Sequence, residues 1–141
     1  MFKSRTISSE PTFKFWQKLC NGSRERRLRD QLFQFSKNGE IVTIRIKNEG
    51  MILNPEIDFL QARLINNEKK IVVGTTNFIK WLYIGLLVFT FLFALVQLKN
   101  SIIASIVVII IFGLIFLYNY RRINKAIIRF ENTLENNARF G

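Results

Sequence analysis

Two long, uninterrupted apolar runs mark the second half of the chain. They cover residues 81–98 and 100–120, and neither contains an Asp, Glu, Lys or Arg. As helices they would extend roughly 27 to 31 Å, which matches the hydrocarbon layer of a bilayer, about 30 Å thick. A short soluble chain has no use for two helices that are apolar on every face. The pattern therefore predicts a transmembrane hairpin of antiparallel helices at about 80–98 and 101–120.

The first half of the chain alternates apolar and polar positions, at first with a helical period. Residues 12–20 predict a short amphipathic helix, and residues 24–37 predict a second one. In residues 40–47 the period changes to strict alternation, which is typical of a half-buried strand. The turn that follows would let residues 51–53 return beside that strand.

Residues 54–74 leave two alternatives open. The Asn54-Pro55 pair is a good helix start, and the apolar residues after it fit a helical stripe. However, residues 60–64 alternate equally well, and residues 71–74 are typical of another strand. Strands are favoured because short β-branched runs on both sides invite pairing. Residues 1–79 are thus predicted to be a small α+β domain, with amphipathic helices and a short antiparallel sheet of three to five strands.

Residues 121–141 continue beyond the second apolar run with a helical stripe. The stripe consists of Ile123, Ile127, Phe130 and Leu134. It predicts that the second membrane helix continues as an amphipathic carboxy-terminal helix. Three surfaces are candidates to cover it: the sheet of residues 40–74, the helices of residues 12–37, or another subunit. The predicted fold class is therefore a membrane α+β protein.

Charge adds an orientation to this picture. The formal net charge is +11, from 21 Lys plus Arg and 10 Asp plus Glu. Apart from Lys99 at the hairpin tip, all these cations precede the first apolar run or follow the second, and Lys and Arg stay on the inner side of a membrane. Both termini are thus expected inside (N-in/C-in), with the bacterial cytoplasmic membrane favoured and an organellar inner membrane as the alternative. The residues assigned to the inner interface are Trp81, Tyr83, Tyr118 and Tyr120, together with Lys80, Arg121 and Arg122.

Small residues at matching distances from the tip predict where helices pack. Such residues allow helix backbones to approach closely in lipid, where no hydrophobic drive brings helices together. The runs contain no Asp, Glu, Lys, Arg or His, which argues against a transport pathway within this chain. The candidate packing residues are Gly85, Ala94, Ala104, Ser105 and Gly113.

Four arginines within six residues form the most distinctive polar feature. They are Arg24, Arg26, Arg27 and Arg29. Anionic lipid headgroups or an acidic partner are the favoured contacts, and a solvated helix face is the simpler alternative. Nucleic acid is not expected as a partner, because no reading motif with interleaved aromatic side chains accompanies the cluster.

The chain offers no recognisable catalytic chemistry. It contains no histidine and a single cysteine, Cys20, so imidazole catalysis, intrachain disulfides and the usual zinc sites are excluded. No glycine-rich phosphate loop or nucleophile motif occurs, and the carboxylates are scattered. We therefore expect no enzyme activity, no cofactor and no metal.

These observations favour a non-catalytic accessory or scaffold subunit of a larger membrane complex. Other membrane proteins and an anionic bilayer are the expected partners, and association into a homo-oligomer is left open. The alternative is a self-associating membrane-active protein or a toxin-immunity type of protein with two membrane helices.

Overall fold

A computed structural model describes residues 2–140. The elements follow one another as β1 (Arg5–Ile7), α1 (Glu10–Gly22), β2 (Glu25–Leu28), β3 (Gln31–Asn38), β4 (Ile41–Ile46), α2 (Pro55–Asp58), β5 (Leu60–Ile65), β6 (Lys70–Thr75), α3 (Asn77–Leu98) and α4 (Ile102–Phe140). The predicted α+β class is confirmed.

The strands form one antiparallel sheet with the order β1-β6-β5-β4-β3-β2. Strands β2 to β6 follow a meander, while β1 returns to the far edge beside β6. The expectation of three to five strands was too low: the sheet has six, because the prediction included neither β1 nor the β2–β3 hairpin.

The predicted helix over residues 24–37 is wrong, since this segment forms β2 and β3. A two-residue connection joins the strands, and Arg29 in it adopts a left-handed backbone conformation with φ of 54°. Phe33 and Phe35 alternate along β3 and both face the core. Their spacing of two is a strand signal, which the helical stripe of Leu28, Leu32 and Phe35 concealed.

Residues 51–53 are not a returning strand. The neighbour of β4 in the sheet is β5, with Ile44 opposite Ala62. Both alternatives for residues 54–74 hold in part: Asn54 caps the short helix α2 by accepting a hydrogen bond from the backbone N–H of Glu56, and strands β5 and β6 follow. Residues 51–53 become an exposed loop between β4 and α2.

The core lies between the inner face of the sheet and two helices, α1 and the second half of α4. From α1, Phe13 and Trp16 are buried, and the Trp16 indole N–H donates to the backbone oxygen of Leu134, 3.0 Å away. The predicted stripe of α4 is buried against this same core. The surface that covers the stripe is therefore the sheet domain of the same chain. Residues 2–79 and 121–140 share one hydrophobic core.

Helix α4 runs without a break from the second apolar run into that core. It is 39 residues long, or roughly 58 Å at 1.5 Å per residue. Helices α3 and α4 are both long and apolar enough to cross a membrane by length and composition.

We expect Leu134→Ala to destabilise the sheet domain by about 2 to 5 kcal/mol, because it leaves a cavity between α4 and Trp16. Denaturant unfolding in detergent, followed by Trp16 fluorescence in a Trp81→Phe background, measures this change. Ile128→Ala is the matched control, since Ile128 lies on the same helix with an exposed side chain. Equal shifts of the unfolding midpoint in the two variants would contradict the packing of α4.

Candidate functional site

The candidate site is the hairpin of α3 and α4 together with its junction to the sheet domain. The two helices meet closely near the tip, where Ala94 and Ser105 are buried. The Ser105 hydroxyl donates to the backbone oxygen of Ala94, 2.7 Å away. A hydrogen bond between helices in an apolar environment contributes about 0.6 kcal/mol on average. This contact holds the free end of the hairpin together.

At the other end of the hairpin, aromatic side chains fill the junction. The ring of Tyr83 meets Phe2 edge-on at 5.0 Å between centroids and Phe116 at 5.1 Å. Tyr120 stacks on Phe2 at 5.5 Å. Phe2 thus fills the space between the two helices where they leave the domain.

Between these two contacts, an apolar groove of about 520 Å³ lies between the helices and opens to the outside. Only its domain end carries charge, from Glu56 and Arg122. Its apolar walls include Leu86, Leu87, Phe91, Ile109, Phe112 and Gly113.

Glu56 joins the sheet domain to the hairpin by an ionic contact that the sequence did not reveal. Its carboxylate lies 2.9 Å from Nε of Arg122 and 3.4 Å from Nη1 of Arg129. The hydrogen bond from Arg122 holds the pKa of the Glu56 carboxyl below its usual value. On edge strand β1, Arg5 pairs with Glu131 of α4. Three ion pairs, two at Glu56 and one at Arg5, thus tie α4 to the rest of the domain.

The residues predicted for a membrane interface divide into two groups. Trp81 and Tyr118 are exposed, as are Lys80 and Arg121. The other three are occupied within the molecule: Tyr83 and Tyr120 in the aromatic junction, and Arg122 in its pair with Glu56.

Of the residues predicted to pack the helices together, some lie at the contact between α3 and α4 and others do not. Ala94 and Ser105 are in contact, and Ala104 beside them is half-buried. Gly113 lines the groove, and Gly85 is exposed outside it. A Cβ atom added at either glycine meets no atom within 4 Å, so neither glycine marks a close approach of the two helices.

The arginine cluster lies around edge strand β2 rather than on a helix. Arg27 pairs with Glu49, and the guanidinium of Arg29 lies 5.9 Å from the ring centroid of Phe140. Phe140 is 20 residues beyond Tyr120, or roughly 30 Å along a straight α4. Arg29 is therefore remote from the apolar part of the hairpin.

The described residues hold no obvious reactive centre. Burial raises the pKa of the Cys20 thiol to about 12, so the thiol stays protonated and a poor nucleophile at neutral pH. Across residues 2–140, no group of three or more His, Cys, Asp and Glu side chains is arranged to hold a metal ion. Within the hairpin, the Thr90 hydroxyl donates to the backbone oxygen of Leu86, and the Asn119 amide donates to that of Ile115.

Comparison of the chain with protein-family models, with curated proteins and with solved structures finds no match.

We expect Glu56→Gln to lower the free energy of unfolding at neutral pH by at most about 1 kcal/mol, the range of exposed ion pairs. Because the folded pKa lies below the ordinary value of 4.5, this stabilisation is present above that pH and is lost as the pH falls through the folded pKa. Denaturant unfolding of both proteins as a function of pH tests this. The two curves should converge in acid. A constant difference at every pH would contradict the ion pair.

Proposed function

We propose that this chain is a small integral membrane protein that serves as an accessory or scaffold subunit of a larger membrane assembly. In this proposal the hairpin spans the bilayer and holds the basic α+β domain against its inner face. The mechanism is positioning, so the surfaces that matter are the hairpin groove and the exposed side of the domain.

The observation that carries membrane insertion is the exposure of the hairpin. Of the most apolar 18-residue window in each helix, 17% is buried within the molecule in α3 and 6% in α4. A core helix of a soluble protein is mostly buried instead. Leaving a large apolar side chain in water forgoes about 1.5 to 3 kcal/mol of transfer free energy, and a bilayer provides that environment for all these side chains at once. Exposed apolar residues occur on every side of both helices.

The contacts at the junction support the placement of both ends of the chain on the same side of the membrane. The Phe2–Tyr120 stack joins the amino-terminal residues to the end of the second apolar run, and the Arg5–Glu131 pair joins them to the part of α4 that follows it. Both ends then lie on one side of the bilayer, and the excess of Lys and Arg favours the inner side.

The groove supports the proposal that another membrane protein, and not lipid alone, contacts the hairpin. A volume of about 520 Å³ between helices that touch near the tip and at the junction admits side chains of a neighbouring membrane helix. Packing of that kind, rather than a hydrophobic drive, holds helices together in lipid. Arg29, beside Phe140, is remote from the hairpin, which favours an acidic protein surface over headgroups as its contact.

Membrane insertion and topology are tested together by cysteine accessibility in a Cys20→Ser background. We expect Asn100→Cys at the hairpin tip to react with a membrane-impermeant maleimide from outside intact cells. Asn67→Cys, in the exposed turn between β5 and β6, should react only after the membrane is opened. Extraction of the chain by alkaline carbonate, or equal labelling of both sites from one side, would refute the arrangement.

The groove is tested by mild-detergent purification of a tagged chain, followed by identification of what copurifies. Gly113→Leu places a side chain in the groove and should reduce recovery of the partner about tenfold, equivalent to about 1.4 kcal/mol. Gly85→Leu is the matched control, because it adds the same side chain to the same hairpin outside the groove. Equal recovery with both variants would contradict the groove as a contact.

The second candidate function, self-association, uses the same groove and is separated by that purification. Recovery of further copies of this chain alone, again sensitive to Gly113→Leu, would favour the self-associating alternative. Stoichiometric recovery of different membrane proteins would support the accessory role.

A further inference from the structure

The loop between β4 and α2 exposes three consecutive large apolar side chains. Met51 is fully exposed, Ile52 is 83% exposed and Leu53 is 63% exposed. An isolated exposed apolar residue is ordinary, whereas a contiguous exposed set outside the hairpin indicates a contact surface.

Side chains at the base of this loop hold its shape. The Asn48 amide donates to the backbone oxygen of Ile52 at 2.8 Å and to Asp58 at 3.0 Å, and its oxygen accepts the N–H of Gly50 at 2.9 Å. The backbone N–H of Asn54 donates to Asp58 at 2.7 Å. Backbone groups that are already bonded lower the cost of moving a loop into an apolar phase. The apolar tip of the loop is thus carried by a backbone whose hydrogen-bonding groups are partly paired within the loop.

The loop lies level with the point where the hairpin begins. Leu53 and Phe78, in the first turn of α3, line one depression of about 640 Å³. The next residue but one, Pro55, lines the hairpin groove together with Leu82 and Arg122. Phe78 and Trp81 are 64% and 71% exposed on the same side of α3, three residues apart. The apolar surface of the loop is therefore continuous with the start of the hairpin.

The same depression supplies positive charge. Arg45 and Arg63 line it on the outer face of the sheet, and Arg45 donates to Gln61 at 3.0 Å. The one carboxylate in its lining, Asp58, already accepts hydrogen bonds from Asn48 and Asn54. Apolar side chains at the entry of the hairpin, with arginines beside them, suit the boundary between acyl chains and anionic headgroups.

We propose that residues 51–53 form a second membrane contact, inserting into the inner leaflet beside α3 while Arg45 and Arg63 face its anionic headgroups. This inference rests on the proposed function, since it requires the hairpin to span the bilayer. Together the loop and the hairpin would fix the tilt of the sheet domain on the membrane.

The test uses the full chain in nanodiscs of phosphatidylcholine and phosphatidylglycerol, with one protein copy per disc. Single cysteines in a Cys20→Ser background carry an environment-sensitive fluorophore, and brominated lipids act as quenchers. Ile52→Cys reports the loop, Phe89→Cys the middle of α3, and Asn67→Cys the β5–β6 turn at the opposite end of β5. We expect shallow brominated lipids to quench the Ile52 probe about twofold and to leave the Asn67 probe unchanged.

The probes separate the two proposals. Quenching at residue 89 without quenching at residue 52 would overturn the loop contact alone, while absence of quenching at both would refute membrane insertion itself. Equal quenching at residues 52 and 67 would also overturn a specific role of the loop. Shielding of the residue 52 probe only in discs with two copies would assign the loop to a contact between chains and overturn the lipid contact.

Discussion

The structure depends on the burial of one face of the second half of α4. Ile127 and Leu134 are fully enclosed by the sheet and α1, and Trp16 donates its indole N–H to the backbone of the same helix. Since α4 has no break, that packing also fixes the direction in which its apolar first half leaves the domain. One continuous helix thus serves as a core element at one end and as an exposed apolar rod at the other.

The junction between these two parts holds the sheet domain in a defined orientation relative to the hairpin. Phe2, Tyr83 and Phe116 close the space between the helices, and Glu56 neutralises part of the positive charge where α4 leaves the apolar region. A domain held at an aromatic cluster and at ion pairs has little freedom to swing about the hairpin. Such rigidity suits a protein whose proposed role is to hold a surface at a fixed place beside a membrane assembly.

The length and apolarity of α3 and the direction of the stripe on α4 could be predicted from local pattern, because each depends on residues close in sequence. The strand of residues 40–47 and the helix of residues 12–20 were predicted for the same reason and are confirmed. The segment 24–37 was not, since its arginines and leucines fit a helical period while Phe33 and Phe35 carry the strand period. Only pairing with β4, where Phe35 lies opposite Ile44, decides between them.

The candidate site shows the same division. Ala94 and Ser105 could be paired from their distances to the tip, but no local signal indicated that Glu56 would meet Arg122, 66 residues later, or that Phe2 would seal the hairpin. By itself, the sequence determined an α+β chain with two long apolar helices and a strong positive charge, since composition and periodicity are local properties. Which surface covers the stripe on α4, and which aromatic and charged side chains remain exposed, was decided only by the tertiary structure. Those outcomes depend on contacts between residues far apart in the chain, which no local pattern encodes.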